Sequence, residues 1–509
     1  MKFVFSKLSL PIAIIKHSYM KRILLSAVTL YLMSLPGFAQ VKNKSTNAIA
    51  ALREADLKKD LYAFADDHFR GREAGTLDEL KAAAWLADQA RAAGLAPAGE
   101  DGTYLQFYSL WRNRISSNTK LVVGNRSLSL WKDALIVETA PAHVDAPLVF
   151  ITDNPADNSD FTGKAVALQL IADYNDPYAK ENPRRYVLQL IRKRTAALVK
   201  QGAVAVFFTV DATLETAYRD RYGVNFERGL YDIAGGPKET ALPQPPAIWL
   251  TNAVFTDIKT STQVQLDIQV EKFSYPSVNV VAKATGTDHL LATEYVLYSG
   301  HIDHDGIRYP INNDSIYNGA DDNGSVTVAM LAIGRAFHQQ PGKRSVIFVW
   351  HGAEERGLLG AKWFANHPTV PQQSIVAALN ADMIGRNAID TAALMGVIPP
   401  HRNSSELVQF ALDANQEGPR FKLDHSWDEA NHPEGWYYRS DHVPYARVGI
   451  PALFFSSLTH PDYHTPKDEA SLIDYKKLLK MTQWLYLTGW KVAQAAKKPA
   501  VEPGFKLER

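Results

Sequence analysis

The chain has 509 residues, 55 basic and 54 acidic side chains, a net charge of +1 and 46% hydrophobic residues. That balance excludes a nucleic-acid reader built on a basic stripe and a basic membrane-surface protein, and it leaves apolar material for roughly two to four domain cores. With no cysteine in the chain, disulfides, thiolate catalysis and thiolate metal sites are excluded, so any metal must be held by His, Asp and Glu.

Residues 1–39 read as a leader. Lys21-Arg22 precedes the apolar run Ile23 to Leu35, and Pro36-Gly37-Phe38-Ala39 leads into the polar Gln40. A positive start, a short apolar stretch and a small residue before the break describe a secretory signal peptide. The run is shorter than the roughly 20 residues of a membrane span, which weighs against an N-terminal anchor. Met20 is a second possible start. The expectation is an exported protein, periplasmic or extracellular, with no stable membrane insertion once the leader is gone.

Residues 40–139 form the first part of the main domain. After a polar linker from Lys42 to Asn47, Leu57, Leu61 and Phe64 recur at helical spacing, as do Leu80, Ala84, Leu86, Ala87 and Ala90 in a second helix ending at Gly94. Between them, Phe69-Arg70-Gly71-Arg72-Glu73-Ala74-Gly75-Thr76 reads as a tight loop, either plain surface or the lining of a cleft. Residues 140–270 change pattern. Short apolar strands at Ala146 to Ile151, Ala165 to Ile171 and Ala203 to Phe208, with an amphipathic stretch from Tyr186 to Lys200, indicate a small inserted β-rich module. It has no dense cluster of ligand-type residues and is expected to do no chemistry.

Residues 271–495 alternate strand and helix. Glu294 to Ser299, Ser345 to Trp350, Ile375 to Leu379 and Pro451 to Ser456 are apolar strands, and Ser325 to Phe337, Gly357 to Asn366 and Tyr475 to Val492 are helices. The fold class expected is α/β, with a mostly parallel or mixed central sheet covered by helices on both faces. In such sheets ligands sit beyond the carboxyl ends of the strands. His301, Glu354-Glu355 and Asp382 all follow strand ends, so one topology brings distant residues together. The tail at 496–509 is polar and reads as disordered.

Five ligand-type residues, His301, Asp321, Glu355, Asp382 and His464, with Glu354 to spare, suffice for two zinc ions and a general base. Asp303 stands two residues beyond His301, on the same side of an extended segment, and can fix the tautomer of its imidazole. Gly319-Ala320-Asp321-Asp322-Asn323-Gly324 opens a helix. An ordinary helix cap is one reading. Two aspartates beside further ligands favour a cation instead, and Asp321 is taken as the carboxylate bridging two metals. Adjacent carboxylates at a strand end repel unless they divide their work, so Glu354 is assigned as general acid and base and Glu355 as ligand. An unpaired aspartate at the strand end Asn380-Ala381-Asp382 is costly without a cation. Of the two loop histidines, His460 fits solvent exposure better than His464.

His301-x-Asp303, Gly-Ala-Asp-Asp-Asn at 319–323, Glu354-Glu355-x-Gly-Leu-Leu-Gly, Asp382-Met-x-Gly-Arg and Tyr463-His464-Thr-Pro-x-Asp together resemble the co-catalytic dizinc exopeptidases, which include secreted bacterial leucyl aminopeptidases and glutamate carboxypeptidases. Phe69 to Gly75, Ser277 to Ala282, and Ser440-Asp441-His442 before Gly449-Ile450-Pro451-Ala452 fit the same family. The inserted module resembles a protease-associated domain at Phe161-Thr162-Gly163-Lys164 and Gln201-Gly202-Ala203. The resemblance implies a zinc exopeptidase fold, peptide substrates, and two zinc ions. One ion would be held by His301, Asp321 and Asp382, the other by Asp321, Glu355 and His464. It also implies a cis bond between Asp321 and Asp322, and Tyr463 as a group stabilising the transition state. An aminopeptidase is the first expectation and a carboxypeptidase the second. A glutaminyl cyclase typically works with one zinc. A receptor-like homologue that has lost the metals is disfavoured because every ligand and the base are present.

Overall fold

A computed structural model describes residues 47–152, 159–181, 183–234 and 245–507. The leader at 1–39, and the linker after it up to residue 46, lie outside the described residues. From Asn47 onward the chain forms one unit that carries two large sheets.

The ten-stranded sheet is mixed. Across it run Lys422–Leu423, Thr391–Met395, Ala452–Ser456, Ile375–Ala381, Tyr295–His301, Ser345–His351, Val270–Ala284, Leu105–Ile115 and Leu230–Asp232, with Ala96–Pro97 joining the strand Val270–Ala284. The four strands at its centre, from Ala452–Ser456 to Ser345–His351, are parallel. They are Val-, Ile-, Leu- and Phe-rich and, apart from the half-buried Tyr295 at one end, buried along their length, as a sheet covered on both sides requires. Helices Glu54–Phe64, Leu77–Ala92, Val326–Gln339 and Tyr475–Gln494 pack on one face around Trp350, Phe337 and Trp484. Leu359–Asn366 and His442–Arg447 cover the other through Phe364 and Tyr445. Thr76 and Asp474 accept backbone N–H groups at the starts of their helices, filling donors that a helix cannot satisfy itself.

The inserted module differs from the sequence expectation in extent and composition. The chain leaves the main sheet at Ser116, not near 140. Ile115 pairs with Val270, and the Ser116 amide donates to the Gln269 carbonyl at 2.7 Å, closing the neck. Lys120–Val123, Arg126–Ser127 and Ala134–Ile136 belong to the second, eight-stranded sheet. Strands of two to four residues are too short to show an alternating pattern in the sequence. The module is also α/β rather than merely β-rich, with Pro183–Lys200 and Ala212–Arg228 as helices and parallel pairing through Ala142–Phe150, Ala165–Leu170, Ala205–Val210 and Ala247–Leu250. Its strand Leu230–Asp232 returns to pair with Leu105–Ile115 of the main sheet.

The polar tail is docked, contrary to expectation. The Glu502 amide donates to the Asn403 carbonyl at 2.8 Å, its carboxylate meets Arg402 at 2.7 Å, and Phe505 and Leu507 pack on the main core. Two isolated apolar residues anchor it, a pattern too sparse to register as periodicity.

Candidate metal centre

Parallel pairing puts three strand ends side by side. His301 is in register with His351, and Ser299 with Asn380. The chain therefore delivers His301, the Glu354-Glu355 turn and Asp382 to one edge of the sheet. His301 Nε2 lies 3.2 Å from Asp322 Oδ1, 3.5 Å from Asp382 Oδ2 and 3.9 Å from Glu354 Oε2. Ser440 donates to Asp382 Oδ2 at 2.9 Å and fixes that carboxylate.

A second pocket adjoins the first. His464 Nε2 lies 3.1 Å from Asp322 Oδ2 and 3.3 Å from Glu355 Oε1, and His304 Nδ1 lies 2.9 Å from Glu355 Oε1. His301, Glu354 and Asp382 form one group of convergent donors, and His304, Asp322 and Glu355 another. Each Asp322 oxygen thus faces a different histidine.

Asp321, expected as the bridge, is turned away. Gly385 donates its N–H to Asp321 Oδ1 at 2.6 Å, and the other oxygen lies 3.5 Å from His460 Nε2. The turn is held by Asp468, whose carboxylate accepts the backbone N–H of Asp321 at 2.9 Å and of Asp322 at 3.0 Å. The cis bond is likewise one position on, between Asp322 and Asn323. Gly319 begins the turn at φ 56°, where a Cβ would sit 2.2 Å from the Asp322 carbonyl oxygen and 2.4 Å from His304 Cγ. Only glycine fits there. Two adjacent aspartates in an irregular turn cannot be ranked by pattern alone. The signal that could have drawn attention to Asp468 is its place in Thr465-Pro466-x-Asp468.

Asp303 also acts differently from expectation. His301 Nδ1 is 3.0 Å from the backbone oxygen of Asp303, while the carboxylate stands 3.9 Å away. That carboxylate instead accepts the N–H groups of Glu354 at 2.9 Å and Glu355 at 3.2 Å, which orients the turn carrying both glutamates. His460, expected in solvent, is buried, and more so than His464.

Two groups behind the second pocket escaped the sequence reading. Asp305, buried, lies 3.1 Å from His464 Nδ1. It is gripped by Arg308, by Arg228 at 3.3 Å and by Arg356 at 3.6 Å. Arg228 belongs to the inserted module, so that module supports the site although it supplies none of the donors in the two pockets. Arg72, in the loop left open between surface and cleft, is fully buried and donates to the carbonyls of Ile302 at 2.7 Å, Asn318 at 2.7 Å and Gly319 at 3.0 Å. It ties together the segments bearing His301 and Asp322.

The chemistry of the donors fits a divalent cation. His301 Nε2, both nitrogens of His304, Glu355 Oε1 and Asp382 Oδ1 are buried without a hydrogen bond, although such groups are nearly always satisfied. Burial raises the Glu354 carboxyl well above its ordinary range, His301 pulling it down while Glu355, Asp382 and Asp441 add to the rise. Burial works the same way on Glu355, but His464 and His304 hold it down to about 2. The two adjacent glutamates are thereby differentiated. Ala353, Met383 and His464, none of them glycine, have φ of 54°, 52° and 54°. Backbone in that region costs about 1–3 kcal/mol per residue and clusters at functional sites.

Beside the cluster, a cavity of about 620 Å³ opens between the two parts of the fold, its lining including Arg185, Leu188, Trp436, Arg439 and Tyr463. The Tyr463 ring stands 3.9 Å from that of His464, and its hydroxyl accepts from Arg439 at 3.2 Å. Glu434 accepts from Arg439 at 3.1 Å and lies 3.0 Å from Arg185.

A family model, peptidase family M28, matches residues 279–488. This segment resembles peptidase family M28. The chain is 28% identical over 193 residues to aminopeptidase YwaD of Bacillus subtilis, covering 36% of this chain and 39% of that protein. It is 26% identical over 246 residues to a probable leucine aminopeptidase of Trichophyton verrucosum, covering 46% and 61%. The chain thus spans less than two thirds of the length of these curated relatives. In fold it is similar to an aminopeptidase from Aneurinibacillus sp. strain AM-1, with TM-score 0.55 and 17% identity over 90% of this chain and 97% of that one. It is also similar to BSAP, a zinc aminopeptidase from Bacillus subtilis, with TM-score 0.54 and 16% identity over 89% and 99%. The mixed α/β architecture with its helices is that of these two structures.

Proposed function

We propose that the chain is a dizinc exopeptidase, most simply an aminopeptidase removing N-terminal residues from peptides. The observation that carries this is Asp322, one carboxylate oxygen 3.2 Å from His301 and the other 3.1 Å from His464, the geometry of a carboxylate shared by two cations. His301 and Asp382 complete one pocket with Asp322, and His464 and Glu355 the other. The donor set, nitrogen and oxygen without sulfur, suits zinc. The names of the M28 relatives point the same way.

When bound, two zinc ions lower the pKa of a water molecule and polarise a carbonyl. Glu354 reaches toward the first pocket, its Oε2 3.9 Å from His301 Nε2, and is the carboxylate left to take the proton of the attacking water and pass it to the leaving amine. Asp303 holds the Glu354 amide and so the direction of its side chain. Ser440 holds Asp382, and Asp305 holds His464. Tyr463 presents a phenol, held protonated by a pKa raised to about 12 by burial, to the mouth of the cavity, where a developing oxyanion can accept its hydrogen bond.

One observation favours a second reading. Arg439 and Arg185 flank the cavity beside Tyr463 and would suit a substrate carboxylate, as removal of C-terminal residues requires. Fluorogenic amino-acid amides assayed against N-acetylated dipeptides ending in glutamate separate the two. Turnover of the amides alone supports the aminopeptidase. Turnover of the dipeptides with none of the amides defeats it.

The stretch from Lys21 to Gln40 supports an exported location, and among the described residues no helix is long and apolar enough to cross a membrane. The inserted module, proposed as a protease-associated domain, supplies Arg185 and Leu188 from its helix Pro183–Lys200 to the cavity, which supports a part in shaping substrate access. Unchanged kinetics on long and short peptides after its removal would count against that part.

A further inference from the structure

We propose that His304 is a fourth protein ligand of the second pocket, so that the two pockets hold their ions unequally. This rests on the dizinc reading above and adds a residue that the resemblance to the exopeptidases does not supply. The His304 side chain is fully buried, its Nε2 makes no hydrogen bond, and its Nδ1 has the Glu355 carboxylate as its near neighbour. Its Nδ1 lies 2.9 Å from Glu355 Oε1 and 3.8 Å from Asp322 Oδ2. His464 Nε2 lies 3.1 Å and 3.3 Å from the oxygens of the same two carboxylates.

Four donors placed tetrahedrally at zinc bond lengths of about 2.0–2.2 Å stand about 3.3–3.6 Å from one another. The four separations straddle that value. The two imidazoles meet nearly at right angles, 81° between planes and 5.3 Å between centroids, so they do not stack against each other, and both face the Glu355 carboxylate. Gly319 leaves room for the His304 ring, since a Cβ there would lie 2.4 Å from its Cγ.

The first pocket is poorer. It offers one imidazole where the second offers two: His301 Nε2 faces Asp322 at 3.2 Å, Asp382 at 3.5 Å and Glu354 at 3.9 Å, and Glu354 is the group kept free as the base. Closed four-ligand zinc sites are characteristically structural, and three-ligand sites keep a position for water. The second pocket therefore retains its ion, and the first exchanges its ion and admits the reacting water.

The test measures zinc bound to the full chain after dialysis against graded chelator, by elemental analysis, for wild type, H304A and H304Q, with circular dichroism as the control for folding. Glutamine keeps a hydrogen-bond donor for Glu355 but is a poor zinc ligand. Expected are two separate release steps in wild type. In both variants the later step should move at least tenfold toward lower chelator. A wild type that binds two equivalents, with H304A releasing them on the same curve, overturns the role of His304 alone. So does full rescue by H304Q, which would make His304 a hydrogen-bonding partner of Glu355. A wild type that binds no zinc overturns the dizinc reading as well. Should H304A fail to fold, cobalt-loaded wild type decides: a visible spectrum of one four-coordinate ion supports the proposal, and two ions of higher coordination overturn it.

Discussion

The carboxylate of Asp468 accepts the backbone N–H of Asp322 at 3.0 Å, and that contact, with its companion to the Asp321 N–H, sets which of two consecutive aspartates enters the cluster. Reversing the turn would send Asp321 inward and strip Gly385 of its acceptor.

The two aspartates are therefore expected to behave differently. Asp322→Asn should lower kcat/KM by about a thousandfold or more, roughly 4 kcal/mol of barrier, and lose bound zinc. Asp321→Asn should keep its zinc and stay within about tenfold of wild-type activity, with a lowered Tm. Elemental analysis and thermal melts on the pair check this, and equal loss of zinc in both would remove the distinction.

Glu354→Gln should fold and bind zinc normally. A general base is worth about 10²–10⁴ in rate, so kcat should fall by at least a hundredfold with little change in metal content. Activity within tenfold of wild type would reassign the base.

Asp305→Asn keeps the shape behind His464 but loses the charge at its Nδ1. Partners of this kind tune metal affinity by about 10–100-fold. Chelator titration should show weaker retention at the second pocket, and stability should fall too, because Asp305 is also the counter-charge to Arg228, Arg308 and Arg356.

His442 is fully buried against Phe454, ring centroids 4.9 Å apart, and burial, with His401 adding to it, pushes its pKa from 6.5 to about 3. Below pH 6.5 the unfolded chain binds a proton there that the folded chain refuses. Stability is thus lost as pH falls from 6.5 toward 3, at about 1.4 kcal/mol per pH unit. His442→Phe, which keeps the stacking, should flatten that acid limb and narrow the gap between stabilities at pH 7 and pH 5 by about 2 kcal/mol. Denaturant melts at the two pH values measure it, and an unchanged gap would mean that His442 carries its proton in the folded state.

The order of residues along the chain determined a great deal by itself. Apolar runs ending in His301, Trp350-His351 and Asn380-Ala381 foretold parallel strands, and parallel strands discharge their carboxyl ends at one edge, so the meeting of His301, Glu354-Glu355 and Asp382 was legible. The absence of cysteine limited the donors to nitrogen and oxygen. Only the tertiary structure decided the rest. Whether Asp321 or Asp322 faces the histidines depends on a backbone turn clamped by Asp468, 146 residues away in sequence. Whether Asp303 works through its carbonyl or its carboxylate depends on where the Glu354 amide arrives from another strand. His304, Asp305 and Arg228 carry no periodic signal, because their place is fixed by long-range hydrogen bonds and charge pairing rather than by the local repeat of a strand or helix. Local sequence writes its pattern through backbone periodicity, and a site assembled from irregular turns takes its final geometry from contacts that periodicity does not encode.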